Sequence, residues 1–391
     1  MHKKSQNKVP ELRFPEFKGE WNAASLGHIA DIFDGTHQTP RYVQGGIPFV
    51  SVEDINGIEK TTKFITEDDF HKDFKNKPQV DDILMTRITA GVIGATALVA
   101  SNAPLAYYVS LALIRKKTDL LARYLSTYMN TAYFKRELHK RVIHVAFPKK
   151  INLGDIGHCA VAFPHLSEQR KIAAFLLAVD RRIEGLEKTR DLLKEYKKGL
   201  IQQLLDRTLR FMDDNGKPFP DWERWQLGHV AEIKKGEQLN ADTLNDSGAY
   251  PALNGGMRPS GYTDQWNVDA DTIAISEGGN SCGFVNYMTQ KFWCGGHCYA
   301  LLNLNKGVLN RYLFQALKHT EPLLMRLRVG SGLPNIQKAD ISKVIVKIPS
   351  LAEQKKIADC LLALDRKIEA VAAQVSRMQD FKQGLLQKMF V

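Results

Sequence analysis

Acidic side chains and cysteine are both in short supply in this 391-residue sequence. The 54 Lys and Arg residues outnumber the 43 Asp and Glu residues, which leaves a formal charge of +11. Because a basic surface attracts phosphates and releases their counterions, this balance favours a polyanionic partner. The five cysteines are odd in number and sparse for the length, so we expect no disulfide framework.

The sequence has one long uncharged run, residues 88–114, and polar residues interrupt it. The run is long enough to cross a bilayer. However, it contains Thr89, Thr96 and Asn102, and its Ser-Asn-Ala-Pro segment at 101–104 is typical of a turn between two strands. No apolar segment follows the basic N-terminus, so we expect neither a secretory signal nor a membrane partner. We therefore predict a cytoplasmic protein.

The common catalytic motifs are also missing. The sequence contains no P-loop, no Gly-x-Gly-x-x-Gly after a strand, no His-Glu-x-x-His and no Gly-x-Ser-x-Gly. Cys294, His297 and Cys298 form one metal-like cluster, but a zinc site needs about four ligands and no second cluster stands at a suitable distance. We predict no catalytic residue and no metal site in this chain.

The strongest positive signal is an internal repeat. Residues 166–184 recur as residues 351–369 with 13 of 19 positions identical, 185 positions apart. Upstream, Leu-Gly-His-Ile-Ala-Asp-Ile at 26–32 returns as Leu-Gly-His-Val-Ala-Glu-Ile at 227–233, 201 positions apart. The middle of the first copy is therefore 16 residues longer (201 − 185). Matching ends with different interiors indicate a duplication whose two copies have specialised.

Each downstream copy predicts a long helix with a heptad repeat of apolar residues. We assign the seam of the two helices to Ile172, Val179, Leu186, Leu193, Leu200, Ile357, Leu364, Val371, Met378 and Leu385. An ordinary core helix or a homodimeric coiled coil is the alternative for one copy alone. Two copies favour pairing within the chain as an antiparallel coiled coil, a rod of about 60 Å for about forty residues. We expect this rod to hold the two globular halves at a fixed separation.

Between the helices lie short apolar runs punctuated by Gly, Pro, Asn and Asp, typical of strands in loop-rich α+β domains. The predicted fold is two tandem globular α/β-mixed recognition domains of the α+β class, each followed by a long helix. We place the domains at residues 1–162 and 208–347 and the spacer helices at 163–207 and 348–391.

Several loops carry side chains that suit nucleic acid. Asn, Gln and Arg can make bidentate contacts to bases, and glycine lets the backbone approach a phosphate closely. Each segment alone is also typical of a hairpin turn, but the segments fall at roughly equivalent places in the two repeats. The candidate DNA-binding residues are Thr36, His37, Gln38, Thr39, Arg41, Arg87 and Thr89 in the first half, and Asn254, Arg258, Asn280 and Ser281 in the second.

These features together resemble a known family, the DNA-specificity subunits of type I restriction-modification systems. The resemblance rests on Pro-x-Leu-x-Glu-Gln-x-Lys-Ile at 164–172 and again at 349–357, each leading into a helix that ends Lys-x-Gly-Leu. It also rests on the paired Leu-Gly-x-x-Ala segments and on Gly-Thr-His-Gln-Thr-Pro at 35–40, followed by Ile-Pro-Phe at 47–49. The second half has Lys-Gly-Glu-Gln at 235–238 instead, so its recognition loop does not transfer from the first.

The resemblance implies a non-catalytic reader of double-stranded DNA in which each domain recognises half of an asymmetric, bipartite site. It further implies two modification (methyltransferase) subunits docked on the helices, together with restriction (motor-nuclease) subunits. S-adenosylmethionine, ATP and Mg²⁺ would be bound by those partners and not by this chain. Two other interpretations stay open from the residues alone: a restriction-modification enzyme fused in one chain, and an interaction scaffold whose basic charge is incidental.

Overall fold

The fold is described from a computed structural model that describes residues 9–240, 244–330, 332 and 334–391. The chain forms two compact units. The first comprises the chain up to Leu186 together with Gln374–Val391, and the second comprises Glu187–Ala373. The division passes through both long helices, so each unit contains a globular part and a segment of each helix.

The first unit contains the elements from β1 to α5 and the beginning of α6. Its strands are Asn22–Ser25 (β1), Ala30–Asp34 (β2), Ile47–Val50 (β3), Phe64–Ile65 (β4), Ile83–Thr86 (β5), Ile88–Thr89 (β6), Thr96–Leu98 (β7), Ala106–Tyr107 (β8), Leu111–Lys116 (β9), Lys149–Lys150 (β10) and Ala160–Phe163 (β11). Its helices are Leu26–Ile29 (α1), Glu67–Asp73 (α2), Ala122–Met129 (α3), Ala132–His139 (α4), Leu153–Gly157 (α5) and the start of the 40-residue Leu166–Leu205 (α6).

A four-stranded antiparallel sheet in the order β2-β9-β5-β7 forms the centre of the first unit. Successive residues of a strand point to opposite faces, and both faces of β5 are covered. Ile83 and Met85 belong to the core cluster that includes α3, whereas Leu84 packs in a second cluster with Val50 and Tyr107. The long uncharged run in the sequence thus forms the strands β6 to β9 and the turns between them, of which β8 and the first four residues of β9 are buried.

The second unit repeats this architecture. Its strands are Glu223–Gln226 (β12), Glu232–Lys235 (β13), Tyr250–Leu253 (β14), Gly261–Thr263 (β15), Thr272–Ser276 (β16), Val285–Met288 (β17), Trp293–Cys294 (β18), Cys298–Leu302 (β19) and Ile345–Ile348 (β20). Its helices are Leu227–Val230 (α7), Asn310–Arg326 (α8), Lys338–Ser342 (α9) and the start of Leu351–Lys388 (α10).

Three sheets of each unit correspond strand by strand. The order β2-β9-β5-β7 is matched by β13-β19-β16-β17, β4-β3-β8 by β15-β14-β18, and β1-β11 by β12-β20. Most of the 16 extra residues of the first copy lie between β3 and β5, where α2 is found. There, 36 positions separate Ile47 from Ile83, and only 23 separate Tyr250 from Ile273. The fold prediction of two α+β domains is confirmed, including interiors that the sequence repeat does not match.

The long helices pair within each unit. In the first unit, Ile172, Leu176, Val179 and Ile183 of α6 share a core cluster with Leu385 and Leu386 of α10. In the second unit, Leu200 and Leu204 of α6 share a cluster with Ile357 and Leu361 of α10. Because the beginning of each helix packs with the end of the other, the pairing is antiparallel, as predicted.

The predicted seam residues differ in burial along the helices. Ile172, Val179, Leu186, Leu200, Ile357 and Leu385 are buried, and Leu193, Leu364, Val371 and Met378 are half-buried. Two lysines lie on the other apolar position of the heptad, four residues after Leu193 and Met378, and each is neutralised across the pair. The Lys382 Nζ lies 2.5 Å from Asp180 Oδ1 in the first unit, and Lys197 Nζ lies 2.6 Å from Asp365 Oδ1 in the second. These ion pairs allow cations to lie beside an apolar seam.

Candidate nucleic-acid interface

The loop that follows β2 is anchored to β8 by its backbone. A Cβ on Gly35 would lie 2.5 Å from the carbonyl carbon of Tyr108, so only glycine fits at this approach. The next residue, Thr36, is buried; its N–H donates to the Tyr107 carbonyl at 3.3 Å and its carbonyl accepts from Val109 at 2.9 Å. Gln38, Thr39 and Arg41 come after this anchor and are exposed. The exposed part of the loop therefore starts from a rigid base.

A buried arginine holds the end of β2 in place. The Arg87 Nη2 donates to Asp34 Oδ1 at 2.9 Å, its Nε donates to the Val109 carbonyl at 2.9 Å, and its Nη1 to the Ile151 carbonyl at 3.4 Å. Arg87 is only 8% exposed. The guanidinium is thus engaged inside the domain, although the sequence interpretation assigned it to DNA.

Asp34 links this arginine to the predicted recognition loop. Its Oδ2 lies 2.8 Å from the Nε2 of His37, whose side chain is 72% exposed. The Tyr107 hydroxyl donates to the Asp34 carbonyl at 2.9 Å, and burial raises the pKa of Tyr107 well above its usual value. The structure therefore brings two of the candidates, His37 and Arg87, together around one carboxylate.

Thr89, the last candidate of the first unit, lies in the two-stranded sheet β6-β10 opposite Lys149. Its Oγ1 accepts from the N–H of Gly91 at 2.9 Å, and the residue is half-buried. This side chain shapes the turn after β6. Sequence reasoning missed the two exposed lysines of β10, which the pairing places beside it.

The second unit has an ion pair at the same place with the charges exchanged. Lys235 ends β13 as Asp34 ends β2, and Glu277 follows β16 as Arg87 follows β5. The Lys235 Nζ donates to Glu277 Oε1 at 2.7 Å, and the Tyr299 hydroxyl donates to the same oxygen at 2.7 Å. The 201-position offset aligns Asp34 with Lys235, but it does not reach Glu277, because the interiors of the two copies differ in length.

Two candidates of the second unit, exposed Asn254 and half-buried Ser281, make hydrogen bonds to the backbone of neighbouring loops. Asn254 Oδ1 accepts from the N–H of His297 at 3.2 Å, and the Ser281 hydroxyl donates to the carbonyl of Gly255. Arg258 and Asn280 are exposed. The hydrogen bond to Gly255 brings the loop after β14 next to the loop after β16, so these candidates lie on neighbouring loops that follow strands of two different sheets.

Neither a metal cluster nor a membrane helix is found in the part of the chain that the structure describes. Within these residues, no group of three or more His, Cys, Asp or Glu side chains is arranged to hold a metal ion. No described helix has both the length and the hydropathy needed to cross a bilayer.

Comparison with known proteins identifies the family. The family model described as the type I restriction modification DNA specificity domain matches residues 18–195 and again residues 220–375. The chain belongs to this family. The specificity subunits of type I restriction-modification complexes are not catalytic by themselves, and the resemblance inferred from the sequence motifs is confirmed.

Individual members of the specificity family align over different lengths. A putative type I specificity subunit of Mycoplasma pneumoniae is 30% identical over 44% of this chain and 46% of its own length. A putative type I restriction enzyme specificity subunit of Methanocaldococcus jannaschii is 25% identical over 95% of this chain and 93% of its own. The chain thus matches about half the length of the first relative and almost all of the second.

The fold is shared with a solved specificity subunit. The crystal structure of the type I S subunit from M. genitalium superposes with a TM-score of 0.64 at 16% identity. The superposition covers 98% of this chain and 99% of that one. At this identity the similarity shows a common fold.

The Glu-Gln motif that characterises this specificity protein has a structural role. Arg13 makes a bidentate pair with Glu168 at 2.8 Å for both bonds, and Arg210 does the same with Glu353 at 3.1 and 2.9 Å. Each carboxylate is buried in the first turn of a long helix, where the helix dipole also favours a negative charge. These pairs join the Leu-Arg-Phe segments at 12–14 and 209–211 to α6 and α10 respectively.

The glutamine of the motif fixes the helix to the adjoining domain. Gln169 Oε1 accepts from the N–H of Leu121 at 2.9 Å, and Gln354 Oε1 accepts from Leu309 at 2.7 Å. Both accepting bonds cap the start of the helix that follows, α3 or α8. The motif is therefore repeated because both domain–helix junctions need the same hydrogen bonds.

Proposed function

We propose that this specificity subunit reads a bipartite site in double-stranded DNA, one half with each unit. The observation that carries the proposal is that two units of one topology expose different side chains on the loops that follow their strands. The first unit presents the loop after β2, with Gln38, Thr39 and Arg41 exposed, and the second presents Arg258 and Asn280. Different side chains on the same framework select different bases, so the two half-sites differ and the whole site is asymmetric.

The long helices set the gap between the half-sites in this proposal. Each spans about forty residues, which corresponds to about 60 Å of helix. The antiparallel pairing inside each unit supports a fixed spacing, because an apolar seam with paired charges resists sliding of one helix along the other. The ion pairs Lys197–Asp365 and Lys382–Asp180 specify that register.

The helices also offer the docking surface for partner subunits. Leu192 and Tyr196 lie one turn apart on α6 and are 55% and 61% exposed, and Phe381 on α10 is 50% exposed. Exposed apolar side chains of this kind mark protein interaction sites. We assign them to two modification (methyltransferase) subunits, with restriction (motor-nuclease) subunits completing the enzyme in the cytoplasm. S-adenosylmethionine, ATP and Mg²⁺ belong to those partners.

Sequence selection from a random duplex library tests the proposal. The chain is co-expressed with its modification subunit, and bound duplexes are recovered and sequenced at two salt concentrations. Two short, different half-sites at one fixed gap support the proposal. A single contiguous site shows that only one unit reads DNA, and no enrichment above a salt-sensitive background shows that the chain is a scaffold.

A further inference from the structure

The segment between α4 and β10 exposes large apolar side chains. Val145 is 98% exposed and Phe147 is 90% exposed, and Val92 in the neighbouring loop after β6 is 66% exposed. An aromatic ring in water forfeits the free energy that its burial would release. Adjacent apolar side chains left so bare on a folded surface indicate a binding site.

The base of this segment is held by the fold. The N–H of Ile143 donates to the carbonyl of Lys150 at 2.8 Å, which closes the segment as a loop. The His144 Nε2–H donates to the His139 carbonyl at 3.1 Å, and the two imidazole rings lie 4.4 Å apart between centroids. Pairing of β10 with β6 fixes the other end. Val145 and Phe147 are therefore presented by a closed loop.

The surface beside the loop is basic. A concavity of about 250 Å³ is lined by Lys135, Lys149, His139 and His144 together with Val92 and other apolar residues, and its described lining contains no carboxylate. Glu137, the acid on α4, is already occupied by Lys140 at 2.6 Å and Arg141 at 2.9 Å. The Lys149 and Lys150 side chains of β10 are exposed. The site combines cations with bare apolar groups.

The loop leads directly into the buried arginine described above. The N–H of Ile151 donates to the Arg87 carbonyl at 3.0 Å, and the Arg87 Nη1 donates back to the Ile151 carbonyl. Arg87 in turn holds Asp34 at the start of the predicted recognition loop. The segment 144–150 and the loop 35–41 therefore share one support within the first unit.

We propose that the loop 144–150 is an additional DNA-contacting element of the first unit. Phe147 packs against the bases of the first half-site, and Lys149 and Lys150 contact the flanking phosphates. The inference rests on the proposed function of the first unit. Duplex DNA is the occupant because its phosphates complement the lysines and its base faces can pack against Phe147. Proteins that bend DNA or bind its single strands insert apolar side chains or stack aromatic rings in this way.

The second unit provides an internal comparison. Val329 and Asn335 exchange two backbone hydrogen bonds, at 2.8 and 2.9 Å. They correspond to Ile143 and Lys150 at the base of the first loop, which share one backbone hydrogen bond. The intervening sequence, Gly-Ser-Gly-Leu-Pro at 330–334, contains no lysine. Changes in the 144–150 loop should therefore affect the first half-site and leave the second unaffected.

The test uses the chain complexed with its modification subunit and the duplex selected by the wild-type complex. Phe147→Ala should weaken binding about 5- to 100-fold, because stacking on a base is worth that much, and Phe147→Tyr should restore it. The double variant Lys149→Gln, Lys150→Gln should make the slope of log affinity against log salt concentration less steep. The expected change is that for the loss of about two phosphate contacts. Lys72→Gln with Lys75→Gln, two exposed lysines near the end of α2, is the control of equal charge.

A fluorescent adenine analogue placed along the first half-site reports base stacking directly. The wild-type complex should change its emission at one base step, and Phe147→Ala should abolish the change at saturating protein. Normal binding and emission by Phe147→Ala on a confirmed bipartite site would overturn this inference and leave the proposed function standing. Failure of that variant to assemble with the modification subunit would show that the loop docks protein. If the wild type selects no bipartite site, the proposed function itself fails.

Discussion

Replacing Arg87 separates a positioning role from direct contact with DNA. Arg87→Ala removes three hydrogen bonds from a side chain that is 10% exposed and leaves Asp34, which is 31% exposed, without its cation. Breaking a fully buried ion pair costs about 3–5 kcal/mol. Because Asp34 is partly exposed, water screens its unpaired charge and the cost is smaller. We therefore expect a loss of about 2–3 kcal/mol in the free energy of unfolding. For a unit of this size that lowers the melting temperature by about 4–12 °C.

The assay compares stability with binding to each half-site. Thermal unfolding and hydrogen exchange of residues 35–41 should both show the loop released in Arg87→Ala, and binding to duplexes altered only in the first half-site should lose discrimination. Arg41→Ala is the matched control, because this exposed arginine of the same loop should change stability by less than about 0.5 kcal/mol.

The exchanged ion pair of the second unit supplies a rescue. Arg87→Glu places two carboxylates together, and adding Asp34→Lys copies the Lys235–Glu277 arrangement. We expect the double variant to recover about 1–3 kcal/mol as coupling energy. Unchanged stability in Arg87→Ala with lost binding would refute the positioning argument and show that the guanidinium contacts DNA itself.

Three further outcomes follow from the described contacts. Glu353→Ala should destabilise the second unit by about 2–4 kcal/mol in urea unfolding, since Arg210, whose side chain is 19% exposed, then lacks its partner and the buried Trp222 indole N–H loses its acceptor; a loss below about 1 kcal/mol would contradict this. Burial raises the pKa of Cys159 to about 11, so iodoacetamide at pH 8 should label half-exposed Cys360 first by mass spectrometry. Deleting one heptad from each long helix should shorten the selected gap by about three base pairs, since seven residues span about 10 Å; an unchanged gap would exclude the helices as its determinant.

The sequence alone predicted the features that depend on local patterns. The heptad spacing of α6 and α10 is visible in one dimension, because helix neighbours recur at fixed intervals. The Glu-Gln motif can also be recognised in the sequence, because it occurs at both domain–helix junctions. The contact of Arg87 with DNA stays a prediction, and nothing in the residues beside it in the sequence shows that the side chain is enclosed.

The tertiary structure decided which distant residues meet. Asp34 and Arg87 are 53 positions apart, and the equivalence of this pair with Lys235 and Glu277 appears only when strands are matched by hydrogen bonding. The exposure of Phe147 could not be predicted from the sequence either, since an aromatic residue is expected in a core. Repeats and helix seams are thus set by short-range periodicity, whereas burial and exposure of a single loop residue depend on chain segments that only folding brings beside it.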